Sequence, residues 1–396
     1  MFIFKTMLSK ELARQREDLK DIYASSPQMQ ALPLSKWETA LEEGKLLPLE
    51  GLPLPAFRLR REFKKFLVGT VLARDFFLPG FPHIPRIFVL KTGIPRYLRG
   101  PFFAEEKIEG YNVRLVKLGG RIWAFTRRGF VCPFATDRWP DFLPRLPDFF
   151  DQYPRLAVCC EVAGPENPFV TEWPPYVKED VNFFVFDLLN MENGSFLPPP
   201  EKYSLLKRFS FPHPEINGPL EPDNISPLET LIKRYDAEGR EGVVLKPAHP
   251  RHGRVLKYVT SASNIGDLRV AFPYIGELEG NYIVHRLVRL AIGRWELGQP
   301  FDEGFYNELG RSLFEEIVPL LERIHQGQPV EEIFRVRLRR EEALEGLLAH
   351  FRRTQVRIEI RRKEQRGSHL WVEFAKIYPR ATSFWASKLE GLAQID

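Results

Sequence analysis

The pattern of apolar and polar positions changes texture along the chain near residues 46, 102 and 261. Over 8–45, "SKELARQREDLKDIYAS" is a charged amphipathic stretch and Ser35 opens a second, "SKWETALEEGK"; both predict helix. Prolines and leucines over 46–60 predict a linker, followed by short β-like runs, "FKKFLVGTVLA" and "RIFVLKTG", around the break "FLPGFPHIP". From 102 to 260 strand patterns dominate. "NVRLVKLGGRIWAFTRRG" predicts a hairpin turning at Gly119-Gly120, and "LAVCCEVAG", "VNFFVFDLLN", "EGVVLKP" and "RVLKYV" predict strands. One helix, "SPLETLIKRYDAEGR", intervenes, with Ser226 as N-cap and Glu229 completing a capping box. After 261 the apolar period lengthens to that of helices, in "EGNYIVHRLVRLAIGRWEL" and "FYNELGRSLFEEIVPLLERIHQ". The stretch from 328, "VEEIFRVRLRREEALEGLLAHFRR", predicts a charged helix and "TQVRIEIRRKEQ" a short strand. The expected fold class is α+β with mostly antiparallel sheets, divided at 1–62, 63–260, 261–326 and 327–396.

Composition narrows the class. The chain has 396 residues, 44% hydrophobic and 28% charged, which fits a globular protein and excludes a disordered one. No apolar run approaches the ~20 residues needed to cross a bilayer. The opening "MFIFKTMLSK" lacks the pattern of a signal peptide, so a cytoplasmic location is expected. Cys132, Cys159 and Cys160 form no CxxC and read as reduced core thiols. The eight histidines lack zinc-site spacing. A net charge of +5, from 57 basic and 52 acidic residues, permits an anionic partner without demanding one. Many charged residues with few Met and Cys lean towards a thermophile.

The chemistry lies in charged residues set within apolar strands. Lys107 stands in "EEKIEGYNVR", and "TRRG" (126–129), "CCEVAG" (159–164), "FFVFDL" (183–188), "EGVVLK" (241–246) and "RVLKY" (254–258) follow in order. A lone glutamate after "LAVCC", or a lysine ending "GVVLK", is costly in a core without a partner. Several such residues predict one shared polar site between sheets, with acids for a metal, cations for phosphates and an aromatic face for a base.

This order, "EKIEGYNVR…TRRG…EVAGPENP…FFVFDL…EGVVLKP…LKYVTS", resembles the covalent nucleotidyltransferases, and among them the archaeal-type homodimeric ATP-dependent RNA ligases. The motifs cover about 105–262, under half the chain. The resemblance implies a nucleotidyltransferase core, ATP-grasp-like with mostly antiparallel sheets. A small N-terminal domain would precede this adenylyltransferase domain, and helical dimerisation and C-terminal domains would follow it. It implies ATP and Mg2+ as cofactors, with Mn2+ as the alternative metal, RNA with 5′-phosphate and 3′-hydroxyl ends as partner, and no membrane. Lys107 would be the nucleophile that becomes lysyl-AMP, and Gly110 would let the nucleotide approach. Positive charge from Lys246, Lys257 and magnesium would lower its pKa. Glu106 would sit beside adenine, Asn112 near the ribose or α-phosphate, and Arg127 (or Arg128, one register on) at a phosphate. Glu161 would hold ribose hydroxyls, Phe186 stack on adenine, Glu241 bind or orient magnesium, and Lys246 and Lys257 touch the α-phosphate.

Three departures stand out. Glu109 occupies a position where many relatives carry aspartate, which leaves its role open. Val255 takes the first slot of a K-x-K pair, with Lys246 or Arg254 to compensate. No basic terminal motif followed by a five-stranded OB pattern is present, which argues against a DNA ligase or a GTP-using capping enzyme. A non-catalytic nucleotide- or RNA-binding relative is the reading from another class; it leaves a nucleophilic lysine without purpose.

Overall fold

The computed structural model describes residues 2–391. Helices α1 (Phe2–Ser25) and α2 (Leu34–Glu42) pack on a four-stranded antiparallel sheet, β1 (Leu46–Pro48), β2 (Ala56–Leu59), β3 (Val71–Ala73) and β4 (Phe76–Leu78). Trp37 is the centre of their core, its ring tilted against those of Phe63 and Phe66 and its indole N–H donated to the Met29 carbonyl at 3.0 Å. The expected linker at 46–60 is thus two strands. Leu46, Phe57 and Leu59 are buried; Pro48 closes β1, while Pro53 and Pro55 sit in the loop between the strands. The sheet runs to Leu78, so a boundary at 62/63 falls between its second and third strands.

"RIFVLKTG" is another correction. It contributes to α3 (Leu90–Tyr97), whose first N–H groups, of Leu90 and Lys91, donate to the Glu296 carboxylate at 2.5 and 3.0 Å. That cap lies about 200 residues downstream, so the local pattern could not carry it.

Two sheets build the centre of the molecule. One has the order β10-β5-β11-β12, from β5 (Phe102–Lys107), β10 (Ile216–Leu220), β11 (Gly242–Pro247) and β12 (Leu256–Val259). The other has the order β7-β6-β8-β9, from β6 (Tyr111–Leu118), β7 (Arg121–Thr126), β8 (Leu156–Ala163) and β9 (Asn182–Asn190). All their pairings are antiparallel, and the β6–β7 hairpin turns at Gly119-Gly120 as predicted, both glycines having positive φ. α4 (Pro133–Phe142), α5 (Leu146–Gln152) and α6 (Pro199–Arg208) lie beside the second sheet, and α7 (Ser226–Ala237) packs on the first. Ser226 is the first helical residue of α7 and makes no side-chain cap, contrary to the capping-box reading. The three cysteines are buried and unbonded.

A helical segment follows: α8 (Ser261–Ala271), α9 (Tyr282–Glu296), α10 (Glu303–Phe314) and α11 (Ile317–His325). The last segment is β13 (Glu331–Leu338), α12 (Glu341–Arg353), β14 (Arg357–Arg366), β15 (His369–Ile377) and α13 (Pro379–Leu389). The "charged helix" from 328 is therefore a strand and then a helix. Phe334, Val336 and Leu338 alternate inward, and interleaved charges hide that period of two. The three-stranded sheet, order β13-β15-β14, is not a five-stranded OB barrel. It shares one core with the second central sheet, where Phe334, Phe351 and Phe374 meet Phe134, Val113 and Phe183. Buried Arg138 fastens the two, donating to the Arg337 carbonyl at 2.9 Å and to Asp141 and Asp180 at 2.8 Å.

Candidate active site

The cleft between the two central sheets gathers the residues singled out from the sequence. A pocket of about 150 Å³ is lined by Glu106, Lys107, Asn112, Arg127, Glu161, Phe186, Lys246 and Lys257. Register explains the gathering. Lys107 ends β5 opposite Gly242, so Glu241 lies next to it; Val244 pairs with Lys257. On the facing sheet Asn112 pairs with Glu161 and Glu161 with Phe184, which sets Phe186 nearby.

The Lys107 ammonium is ion-paired with Glu241, the two side chains being 23% and 10% exposed. Burial alone would depress the lysine; the carboxylates of Glu241, Glu109 and Glu161 outweigh it and hold the ammonium above its ordinary value. Lys257 repels the Lys107 ammonium, but among the protein's own groups the acids set the balance. Burial, reinforced by Lys107 and Arg86, brings Lys257 down to about 8. Burial pushes Glu161 up to about 8, against the pull of Lys107. Glu109 is pushed up to about 10 by burial and by Glu241, with Glu172 and Asp267 adding to it. One side of Lys107 is therefore crowded with carboxylates that repel each other.

Glu106 is fully engaged: Tyr176 donates to it at 2.9 Å and Arg240 at 3.0 Å. Arg127 lines the pocket, whereas Arg128 is exposed and turned away, which separates the two registers. A Cβ on Gly110 would come within 2.5 Å of the Val162 carbonyl, so this glycine serves the close approach of two strands.

Phe186 owes its position to a β-bulge. Cys159 pairs with Asp187 and Cys160 with Val185, which leaves Phe186 without a partner on β8. Its carbonyl instead accepts from the ammonium groups of Lys202 and Lys246, both at 2.7 Å. The same two lysines bind Glu105, at 2.5 and 2.9 Å, and Lys246 reaches Asp187 at 3.0 Å. Two carboxylates and two ammonium groups thus form a neutral buried cluster under the pocket, tying β5, β11, β9 and α6 together. Lys246 is a member of this cluster and 5% exposed, so its charge is shared before any phosphate arrives. Arg254 lies outside the pocket, its guanidinium over the Tyr97 ring at 5.5 Å.

Sequence reasoning missed Lys202, Asp187, Tyr176, Arg240 and Arg86. Lys202 sits in "PPEKYSLLKR", where a lysine on an amphipathic helix reads as solvated. Arg86, which opens the run read as β-like, is bridged to Lys257; burial lowers its pKa against the pull of Glu241, and its Nη1 is buried without a partner. An arginine inside "PHIPRIFVL" was the available signal.

The residues present suit a hard cation. Glu241 Oε2 and Asn112 Oδ1 are buried without hydrogen-bond partners, and Glu109 and Glu241 repel each other. Among the described residues no group of three or more ligating side chains is arranged to hold an ion alone. Magnesium does not require one, since it commonly takes one or two carboxylates together with substrate phosphates and water.

Comparison with known proteins agrees with this geometry. The RNA ligase family model matches residues 100–259, and the model for the C-terminal region of ligase Pab1020 matches 270–392. An uncharacterised protein of Methanocaldococcus jannaschii is 28% identical over 348 residues, 84% of this chain and 87% of its own. A structure from Aquifex aeolicus, provisionally named an ATP-dependent DNA ligase, is 35% identical with a TM-score of 0.87, over 92% of this chain and all of that one. An archaeal ATP-dependent RNA ligase is 27% identical with a TM-score of 0.86, over 95% of this chain and 99% of its own. With these motifs on one cleft and these likenesses across nearly its whole length, the chain belongs to the family of the archaeal ATP-dependent RNA ligases.

Proposed function

We propose that this ligase joins a 5′-phosphate to a 3′-hydroxyl of RNA through a covalent lysyl-AMP on Lys107. The observation that carries the reading is the convergence of Lys107, Glu161 and Lys257 from two sheets on one pocket that also presents Phe186, with Glu241 ion-paired to Lys107 beside it. In the first step the Lys107 amine attacks the α-phosphorus of ATP; a P–N bond forms, a P–O bond breaks and pyrophosphate leaves. In the second an oxygen of the RNA 5′-phosphate attacks the same phosphorus, and Lys107 leaves as an amine that takes up a proton. In the third a 3′-hydroxyl attacks the capped 5′-phosphate, AMP departs and a phosphodiester remains.

Phe186 offers its face to adenine, Glu106 with Tyr176 and Arg240 lines the base side, and Glu161 and Asn112 face the ribose. Arg127 and Lys257 receive phosphate charge, Lys246 holds the floor through its cluster, and Glu109 stands with Glu241 on the acidic side. Glu241, with Glu109, would hold magnesium, or manganese in its place, which when bound stabilises negative charge on the phosphates. A cation held by Glu241 would weaken the carboxylate's pull on the ammonium, and Lys107 would then lose its proton more readily.

The test is incubation with α-labelled ATP and magnesium, with labelled GTP alongside. The expected result is acid-labile label on the protein from ATP alone, lost when the metal is chelated, and moved to 5′-phosphorylated RNA on a chase. Absence of label from protein first stripped of AMP with pyrophosphate would sink the reading.

The helical segment supports a homodimer. Val284, Val288, Trp295, Phe314 and Val318 are 47–72% exposed there. Apolar exposure of this extent calls for a cover, and a second copy supplies it. Light scattering is expected to give twice the 46.2 kDa chain mass, and Val288→Asp with Val318→Asp to lower it towards one chain; a monomeric wild type refutes this.

A further inference from the structure

A second cavity, of about 780 Å³, opens beside the nucleotide pocket and shares Arg127 and Phe81 with it. Three parts of the chain build it. Arg58 and Arg60 come from the end of β2, Arg127 and Arg128 from the turn after β7, and Arg353 from the end of α12. Against these five arginines the lining offers one carboxylate, Glu62. Arg353 reaches exposed Glu50 at 3.2 Å, while among the described residues Arg58, Arg60, Arg127 and Arg128 have no carboxylate partner. Elsewhere this chain pairs its arginines freely, as at Arg138, Arg240 and Arg361, so the lack of pairing here is local.

The arrangement is rigid as well as charged. Buried Arg114 donates to the carbonyls of Gly69 and Thr126, both at 2.9 Å, and also to that of Pro79, clamping the β2–β3 turn onto the β7 turn. The two turns touch so closely that a Cβ on Gly69 would lie 2.1 Å from the Arg127 carbonyl. The Arg58 guanidinium lies 3.7 Å from the Phe130 ring centre. Burial, and repulsion from Arg60, Arg128 and Arg353, lower its pKa to about 10. Like charges held together by the fold, with fewer counter-charges than cations, favour a polyanion.

We propose that this groove binds the 5′-phosphorylated RNA strand, its terminal phosphate at Arg127 and the following phosphates along Arg58, Arg60, Arg128 and Arg353. The proposal rests on the lysyl-AMP reading. The second step brings a 5′-phosphate to the adenylated lysine, and Arg127 stands where groove and pocket meet, close enough to Glu161 and Lys257 to perturb both. Arginine suits the task, since its planar fork pairs with phosphate oxygens two at a time.

The test uses Arg60→Ala, Arg353→Ala and the double variant, with Arg60→Lys as the conservative control. Lysyl-AMP formation without RNA is measured first and is expected to stay within about twofold of wild type, which also reports folding. AMP transfer from adenylated protein to subsaturating 5′-phosphorylated RNA is then expected to slow about tenfold in the double variant, with Arg60→Lys near wild type. Anisotropy of a labelled RNA should show the slope of log affinity against log salt falling by about two. Unchanged transfer and an unchanged slope in the double variant would overturn the groove. Loss of lysyl-AMP in wild type would instead overturn the mechanism, and the salt slope would still judge the groove.

Discussion

Lys107→Ala takes up no label from α-labelled ATP, and its ligation of 5′-phosphorylated RNA falls by at least about 10³-fold. No other lysine replaces it: Lys246 is committed to Glu105 and Asp187, and Lys257 reaches the cleft from another strand. Lys107→Arg fails equally, because a guanidinium stays protonated. The third step requires no enzyme nucleophile, so RNA carrying a preformed 5′-adenylate is still joined by Lys107→Ala. Three readouts check this: label on the protein, ligation of phosphorylated RNA and ligation of pre-adenylated RNA. Failure of all three marks a folding defect, and label retained on Lys107→Ala refutes the assignment.

The second large effect falls on stability. Glu105→Ala leaves Lys202 and Lys246 with Asp187 as their one carboxylate, in a site where Glu105 is 1% exposed. Burial works against ionised Glu105, but the two lysines outweigh it and hold its carboxyl well below the usual range. Breaking such a cluster by removing one member costs about 3–5 kcal/mol, because a buried charge is left uncompensated. Glu105→Ala with Lys202→Met restores neutrality around Lys246 and Asp187, so the pair of changes costs less than the sum of the two. Urea midpoints of the two single variants and the double give the coupling directly. A Glu105→Ala midpoint equal to wild type would show that the cluster does not hold the sheets together.

The legible part of this molecule was its set of charges in strands. Lys107, Glu161, Glu241 and Lys257 stood out because strand patterns make an ionised residue conspicuous, and their order along the chain matched one family. The β6–β7 hairpin and the central strands were legible for the same reason. Lys202 was not, because its burial depends on where α6 lies and not on its neighbours in sequence. Nor was α3, capped by a carboxylate from α9, or β13, whose inward Phe334, Val336 and Leu338 are interleaved with charged residues. The basic groove was invisible in a net charge of +5, since it arises from three distant segments.

The unpaired residue in β9 also constrains how this strand can vary. Two stretches of regular ladder meet at Phe186, so the count of residues between them is fixed as well as the aromatic identity of that one. Deleting one residue there would let the ladder close. The pairs on either side, Asp187 with Cys159 and Val185 with Cys160, would keep their register, but the aromatic ring that the bulge presents to the cleft would be lost. Insertions and deletions should thus be excluded from this strand while apolar substitutions on its buried face are tolerated. An alignment that closes the bulge with a gap would assign the base-stacking role to the wrong phenylalanine.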